Sequence, residues 1–409
     1  MEKTNKPTLY LHIGMHKTGT TYLQNILREN QEYLLENEGL FFPDYAGVQN
    51  GQLTTRSGAN SGHGAFTHRR EQKSIHQRLI EDCERLKPKS VLISSENFTI
   101  WRRRVTAKQY LARFQYFEKI VVILVLRRQD RWIESYYKQL LDGFIDFEIR
   151  SIEQFCNDLD EQLFDYKARF QPWREIVGSK NFRVGSYDEI VANLGLMNWL
   201  CAELGLTPET QTFLSNQNAA KYPSTSGLNS FALRILNSLV ITNKETRTKI
   251  VRELYDAGED NNFDLLPKKT AEKLRMRYQA SNEWIAKNWM QSDASEFSEW
   301  KTLHYTDTPV PNAQDANLVV KLNVLADSIE RHCGPSARAL AFRNLDKIIT
   351  TNGSDKNISQ RLMGVNDDLR RARKILQARL SNSSKRYLVA DITRKFKKVM
   401  VSVWRRLNG

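Results

Sequence analysis

The seven residues from Ile120 to Leu126, IVVILVL, carry no polar side chain and run directly into Arg127 and Arg128. A helix needs about 20 apolar residues to cross a bilayer, so a run this short spans nothing. A strand with one wet face would alternate apolar and polar residues; an unbroken run predicts a strand covered on both sides. Such strands belong to parallel sheets flanked by helices, and the neighbouring sequence supplies the other parts of one. TLYLHIG reads as another buried strand, and the segment after it spaces Tyr22, Leu23, Ile26 and Leu27 along one helical face. The alternation continues with a helix over EQKSIHQRLIEDCERL, a strand from Ser90 to Glu96, and a helix over DRWIESYYKQLL with Asp130 as its N-cap. A helix made irregular by Pro172, the strand FRVGSY and the helix LMNWLCAELGL complete it. The expected fold class is α/β, a parallel sheet flanked by helices, with a core that ends near Leu206.

From 213 to 290 the pattern turns helical after a polar, turn-rich loop, SNQNAAKYPSTSG, and predicts a cap on one domain running from 1 to 290. Residues 291–345 read as a mixed extension and 346–409 as a helical, basic tail. The tail accounts for the charge. The 409 residues carry a net +14, yet Leu369 to Gly409 hold thirteen Lys and Arg against one acid, Asp391, and the rest hold 48 basic and 46 acidic side chains. Basic charge spread over a fold would point to nucleic acid; charge confined to a terminal segment does not, and nucleic acid is not the expected partner. Cys83, Cys156, Cys201 and Cys333 stand far apart, without CxxC or metal-type spacing, which predicts no disulfide scaffold or zinc site and fits a reducing, cytoplasmic setting. MEKTNKPTLYLHIG enters a strand without the apolar segment and cleavage site of a signal peptide.

Between the first strand and the first helix stands HIGMHKTGTT, His12 to Thr21. In open α/β sheets ligands bind beyond the C-terminal strand ends, where a helix N-terminus offers N–H groups and the positive end of its dipole. Gly14 and Gly19 permit tight turns, Lys17 adds a point charge, and Thr20 and Thr21 add hydroxyls, a combination suited to phosphate. A Walker A loop reads GxxxxGK[ST], with lysine directly after the second glycine. Here Lys17 comes two residues before Gly19, and no separate acidic Mg²⁺ motif accompanies it, so a kinase or NTPase is the second reading of the loop. A tight turn without a ligand is the third.

The order G-x-x-K-x-G-T-T resembles the 5′-phosphosulfate loop of the sulfotransferases that use 3′-phosphoadenosine-5′-phosphosulfate (PAPS). The resemblance implies that Gly14, His16, Lys17, Thr18, Gly19, Thr20 and Thr21 surround the donor's 5′ end, without a metal. VLRRQDRWIESYY is similar to the family's 3′-phosphate site, an arginine that ends a strand and a serine eight residues later in the next helix: Arg127 and Ser135. A guanidinium fork and a hydroxyl at that spacing can converge on one phosphate; the alternative for an arginine-rich strand exit is that Arg128 or Arg131 is instead solvated or paired with Glu134. VLISSENF, VGSYDEI and YQASNEWIAKNWM resemble further family segments, the last a helix of bacterial polysaccharide-type members, and extend the similarity over Leu9 to Met290. The resemblance implies a P-loop nucleotide-binding-like fold and an enzyme that moves a sulfuryl group from PAPS to a hydroxyl of a carbohydrate or glycolipid.

In such a transfer the acceptor hydroxyl attacks sulfur in line as the bridging oxygen leaves, which calls for a positive group at that oxygen and a base at the acceptor. Lys17 is the candidate for the first role, with His16 assisting by hydrogen bonding. Glu96, at the end of its strand, leads for the second, its alternative being a pair with an arginine such as Arg102. His63, in GANSGHGAFTH, follows because histidine titrates near neutrality. Glu38 is third: ENEGLFF resembles the segment bearing the base in heparan-type members, yet Gly39 behind it predicts an ordinary helix C-cap. Lys221 is the candidate for a basic loop over the nucleotide.

On a helical wheel Leu388, Val389, Ile392, Phe396, Val399, Met400, Val403 and Leu407 share one face, and Arg394, Lys395, Lys397, Lys398, Arg405 and Arg406 the other. Such helices lie in the interface of anionic membranes, or dock on their own core or an oligomer partner. The expected location is cytoplasmic, with peripheral contact to the inner face of the membrane through residues 385–409. A non-enzymatic membrane- or nucleic-acid-binding protein is the reading in which the tail carries the function.

Overall fold

The computed structural model describes residues 6–45, 47–49, 52–54, 63–67, 72–99, 106–143, 147–159, 163–217, 225, 227–239, 241, 243–258, 264–291, 296–299, 305 and 316–341. The strands are β1 (Thr8–His12), β2 (Leu40–Phe41), β3 (Gly47–Gln49), β4 (Gln52–Thr54), β5 (Ser90–Ser94), β6 (Ile120–Leu126) and β7 (Phe182–Ser186). Helices α1 (Thr20–Glu29), α2 (Gln31–Glu38), α3 (Gln72–Leu86), α4 (Ala107–Leu111), α5 (Gln129–Asp142), α6 (Ile152–Asn157), α7 (Tyr166–Val177), α8 (Tyr187–Asn193), α9 (Leu196–Leu204) and α10 (Pro208–Ser215) alternate with them. They are followed by α11 (Gly227–Asn237), α12 (Lys244–Tyr255), α13 (Lys268–Ile285), α14 (Glu296–Glu299) and α15 (Ala316–Cys333).

Five strands form one parallel sheet in the order β2-β5-β1-β6-β7, while β3 and β4 pair separately as an antiparallel ribbon. The apolar run of β6 lies between β1 and β7 with Val121 to Leu126 wholly buried, as its lack of alternation requires. Below it, α1 turns Leu23, Ile26 and Leu27 onto Leu92, Val121, Ile123 and Val125, joined by Met197, Leu200 and Leu204 of α9. Each of these large side chains contributes about 1.5–3 kcal/mol by leaving water. α7 is continuous through Pro172 and starts at Asp165, whose carboxylate accepts from the Ala168 amide at 3.0 Å.

Asp130 does not cap α5, which starts one residue earlier; it lies in the first turn, fully buried, in a two-pronged pair with Arg128 at 2.8 and 3.0 Å. A guanidinium taken out of water needs a carboxylate more than the helix needs a cap. This also answers where Arg128 goes: to Asp130 rather than to solvent.

The chain divides into two compact units, one of residues 1–136, 159–223 and 268–304, the other of 137–158, 224–267 and 305–409. Residues 213–290, one cap in the sequence reading, are therefore shared: α13 packs on α7 and α14 in the sheet unit, whereas α11 and α12 pack with α15 in the other. Periodicity marks an apolar face without naming the face it meets. In the sheet unit a reciprocal amide pair, Gln129 with Asn282 at 2.8 and 2.9 Å, ties α13 to the start of α5, both side chains being fully buried. In the second unit Arg247 and Asn237 donate to the Leu141 carbonyl at 3.0 and 3.1 Å, capping the C-terminal end of α5. Among the described residues no helix is long and apolar enough to cross a membrane.

Candidate functional site

Strand register sets the stage. His12 is level with Ser94 and Ile123, and Leu126 with Ser186, so the segments after β1, β5, β6 and β7 all leave from the C-terminal edge of the sheet. The chain passes from β5 to β6 across β1, which makes the end of β1 the point where connections diverge to either side and a crevice opens. The GMHKTGTT loop stands there.

A buried polar layer supports the loop. His12 Nδ1 lies 2.8 Å from the Ser94 hydroxyl, which also accepts from Gln24 Nε2 at 2.9 Å. Burial drives the His12 imidazole down to about 4, so it is a neutral prop at physiological pH. Gly14 rests directly on it: a Cβ there would lie 2.7 Å from the Thr20 methyl carbon and 2.9 Å from His12 Nε2. Further along, φ alternates in sign, positive at Lys17 (66°) and Gly19 (72°) and not at His16 or Thr18. Successive amides in such alternation form a concave nest for an anion. α1 begins next, with no side-chain cap from Gly19 and no acid in its first turn, so its positive end is left uncompensated by its own residues.

Side chains from other strands hold the loop's carbonyls. The Trp132 indole donates to the His16 carbonyl at 2.7 Å, Arg127 Nη1 to that of Lys17 at 3.3 Å, and the Thr99 hydroxyl reaches that of Gly14 at 3.0 Å. Thr18, which the motif places among the ligand residues, is wholly buried and donates its hydroxyl to the Met15 carbonyl at 2.7 Å, so its side chain braces the loop. Thr20 is also buried, its methyl against Gly14, while Lys17 and Thr21 are half-buried.

Arg127 thus meets the loop although 110 residues separate it from Lys17. Its carbonyl accepts from the Tyr166 hydroxyl at 2.9 Å, and its guanidinium lies 4.8 Å above the Tyr187 ring. Nε is 3.3 Å from the Asp188 carboxylate without the alignment of a hydrogen bond. Ser135 follows Trp132 by three positions on α5 and is half-buried, on the side of the helix that Trp132 turns to the loop.

The base candidates separate. The Ser95 hydroxyl accepts from the Asn97 amide at 3.2 Å, opening a short 3₁₀ turn, Glu96–Thr99, and the Glu96 carboxylate meets His16 Nδ1 at 2.8 Å. His63 is not a flexible-loop residue: it is fully buried, Nδ1 accepting from the Ser94 amide at 2.9 Å and Nε2 donating to the Pro43 carbonyl at 2.5 Å. Both nitrogens are taken by backbone, which assigns it to structure. Glu38 precedes Gly39, the helix C-cap at φ 67°, and accepts from the Thr207 amide and hydroxyl at 3.0 and 2.5 Å. Burial opposes its ionisation, but the Thr207 and Thr210 hydrogen bonds and the Lys89 charge outweigh that and hold its carboxyl below the usual range. It stands at the opening end of the strands, where Leu40 is level with Ser90, roughly 13 Å of strand away from the loop. Lys221, Arg102 and the tail at 346–409 lie outside the described residues.

Trp132, Tyr136, Thr99, Tyr187 and Asp188 had no assigned role in the sequence reading. The one signal for the last two was VGSYDEI after a strand; only the Leu126–Ser186 register brings them to Arg127. Among the described residues no group of three or more His, Cys, Asp or Glu is arranged to hold a metal ion. No family model matches the chain. It is similar to an uncharacterized protein of Archaeoglobus fulgidus, 29% identical over 138 residues, 33% of this chain. The match spans about a third of that relative, 35% of its length, and the likeness brings no activity with it.

Proposed function

We propose that the chain is a PAPS-dependent sulfotransferase acting on a hydroxyl of a carbohydrate or glycolipid, on a P-loop-like sheet. One observation carries the reading: Arg127 Nη1 lies 3.3 Å from the Lys17 carbonyl, so an arginine fork borders the same crevice as a GxxKxGTT loop with an uncapped helix end. The residues fit a doubly phosphorylated nucleotide, since the nest and α1 suit one anion and Arg127 with Ser135 a second. PAPS, when bound, supplies the sulfuryl group. Lys17 then serves as the point charge beside the departing oxygen.

Calorimetric titration with adenosine 3′,5′-bisphosphate, the desulfated product, tests this. Binding without Mg²⁺, at least about tenfold tighter than for ATP, a difference of about 1.4 kcal/mol, is expected. Tighter binding of Mg²⁺-ATP turns the assignment to a kinase or NTPase. A lipid-linked acceptor would give the basic amphipathic segment at 385–409 a purpose, holding the enzyme on an anionic surface. Sedimentation with anionic liposomes should drop when 385–409 are deleted; equal sedimentation retires the membrane role.

A further inference from the structure

We infer that His16, oriented by Glu96, is the base of the transfer, and that Glu96 is a positioning residue; this rests on the sulfotransferase reading of the same site. The Glu96 carboxylate lies 2.8 Å from His16 Nδ1, without the alignment of a hydrogen bond; a carboxylate oxygen that close repels a nitrogen lone pair, which favours the proton of neutral His16 on Nδ1 and the lone pair on Nε2. Among the described residues no hydrogen bond reaches Nε2. The two side chains differ in exposure as base and orienter should: 31% for His16 and 15% for Glu96. The outer group is free to meet a substrate and the inner one to steer it.

Both partners are held from outside the loop. The His16 carbonyl is fixed by the Trp132 indole, and its ring stacks on Tyr136 at 6.4 Å, which stacks on Trp132 at 4.8 Å. Glu96 is fixed by its 3₁₀ turn, where the Thr99 hydroxyl lies 3.0 Å from the Gly14 carbonyl and 2.9 Å from that of Glu96, clasping the turn to the loop. The other candidates are committed, His63 to backbone and Glu38 to Thr207 at the far end of the sheet. His16 also adjoins Lys17, so one loop holds the proton acceptor and the charge for the leaving oxygen.

The step balances. The acceptor hydroxyl gives its proton to His16 Nε2 as its oxygen bonds to sulfur. The bond from sulfur to the bridging oxygen breaks, its electron pair staying on the phosphate beside Lys17. The imidazolium, paired with Glu96, later returns the proton to water.

Two measurements test the pair, with water as the acceptor in the kinetic one. Nitrogen-15 NMR of the whole protein should report His16 as the Nδ1–H tautomer, a preference lost in Glu96→Ala and kept in Glu96→Gln, whose amide oxygen can face Nδ1 in place of the carboxylate. Release of labelled sulfate from ³⁵S-PAPS should fall about 100-fold or more in His16→Ala and recover in part with added imidazole. Glu96→Gln should lose less than Glu96→Ala, and affinity for adenosine 3′,5′-bisphosphate should stay within about threefold of wild type in both Glu96 variants. Wild-type sulfate release in His16→Ala together with loss in Glu96→Ala overturns the inference and makes Glu96 the base. A proton found on Nε2 overturns it as well. Failure of the wild-type protein to bind the bisphosphate defeats the parent reading instead, and the nitrogen shifts still decide whether Glu96 sets the tautomer.

Discussion

Lys17→Ala is expected to lower turnover by about 100- to 1000-fold while the protein stays folded. Removing one preorganised donor from a transfer site costs about 2.7–4 kcal/mol of barrier, and Lys17 is the one lysine or arginine in GMHKTGTT. The backbone is the same in the variant. Lys17 sits at φ 66°, a left-handed conformation that costs an L-residue about 1–2 kcal/mol, and alanine bears the same cost. Lys17→Gly relieves that strain, so it should melt higher than the alanine variant yet turn over as slowly. Strain kept at a lysine, where glycine would be easier, is what a functional requirement for the ammonium predicts. Release of labelled sulfate measures the effect; a loss under about threefold, with the bisphosphate still bound, removes Lys17 from the chemistry.

Arg127→Ala is expected to weaken bisphosphate binding by about 30- to 1000-fold, a loss of about 2–4 kcal/mol. Two effects add. The fork that meets the Lys17 carbonyl, and in the proposed site would meet a phosphate, disappears, and Asp188, 3.3 Å from Nε in the intact protein, is left as an uncompensated negative charge beside the proposed anion site. Arg127→Lys keeps the charge but not the fork and should recover only part of the affinity. Calorimetry against adenosine 3′,5′-bisphosphate distinguishes the three proteins, and equal affinity for wild type and Arg127→Ala would falsify the two-anion site. Asp188→Asn is the control, because it removes the repulsion and leaves the fork.

Much of this molecule was legible in its one-dimensional order. IVVILVL and TLYLHIG required a parallel sheet, because strands without a polar face must be covered twice. Gly14 and Gly19 marked a tight strand–helix turn, and Gly39 marked the end of α2, where it takes φ 67°. The two-residue β2 and the ribbon of β3 and β4 escaped, being too short to show a period. Asp130 was misread because its partner, Arg128, decides its role by burial, which propensity does not register.

What the chain's order settled by itself is therefore local: which segments are strands and helices, which loop is glycine-bent, and which charges stand near it. Choosing among His16, His63, Glu38 and Glu96 was beyond it. Four histidine and carboxylate side chains of similar chemistry become different things according to which strand ends beside which. His63 meets the Ser94 amide across 31 positions, Glu38 meets Thr207 across 169, and Arg127 meets Lys17 across 110. Apolar periodicity reports which face is buried, but strand order and register come from packing the whole sheet, and a polar side chain's role follows from the neighbour that packing gives it.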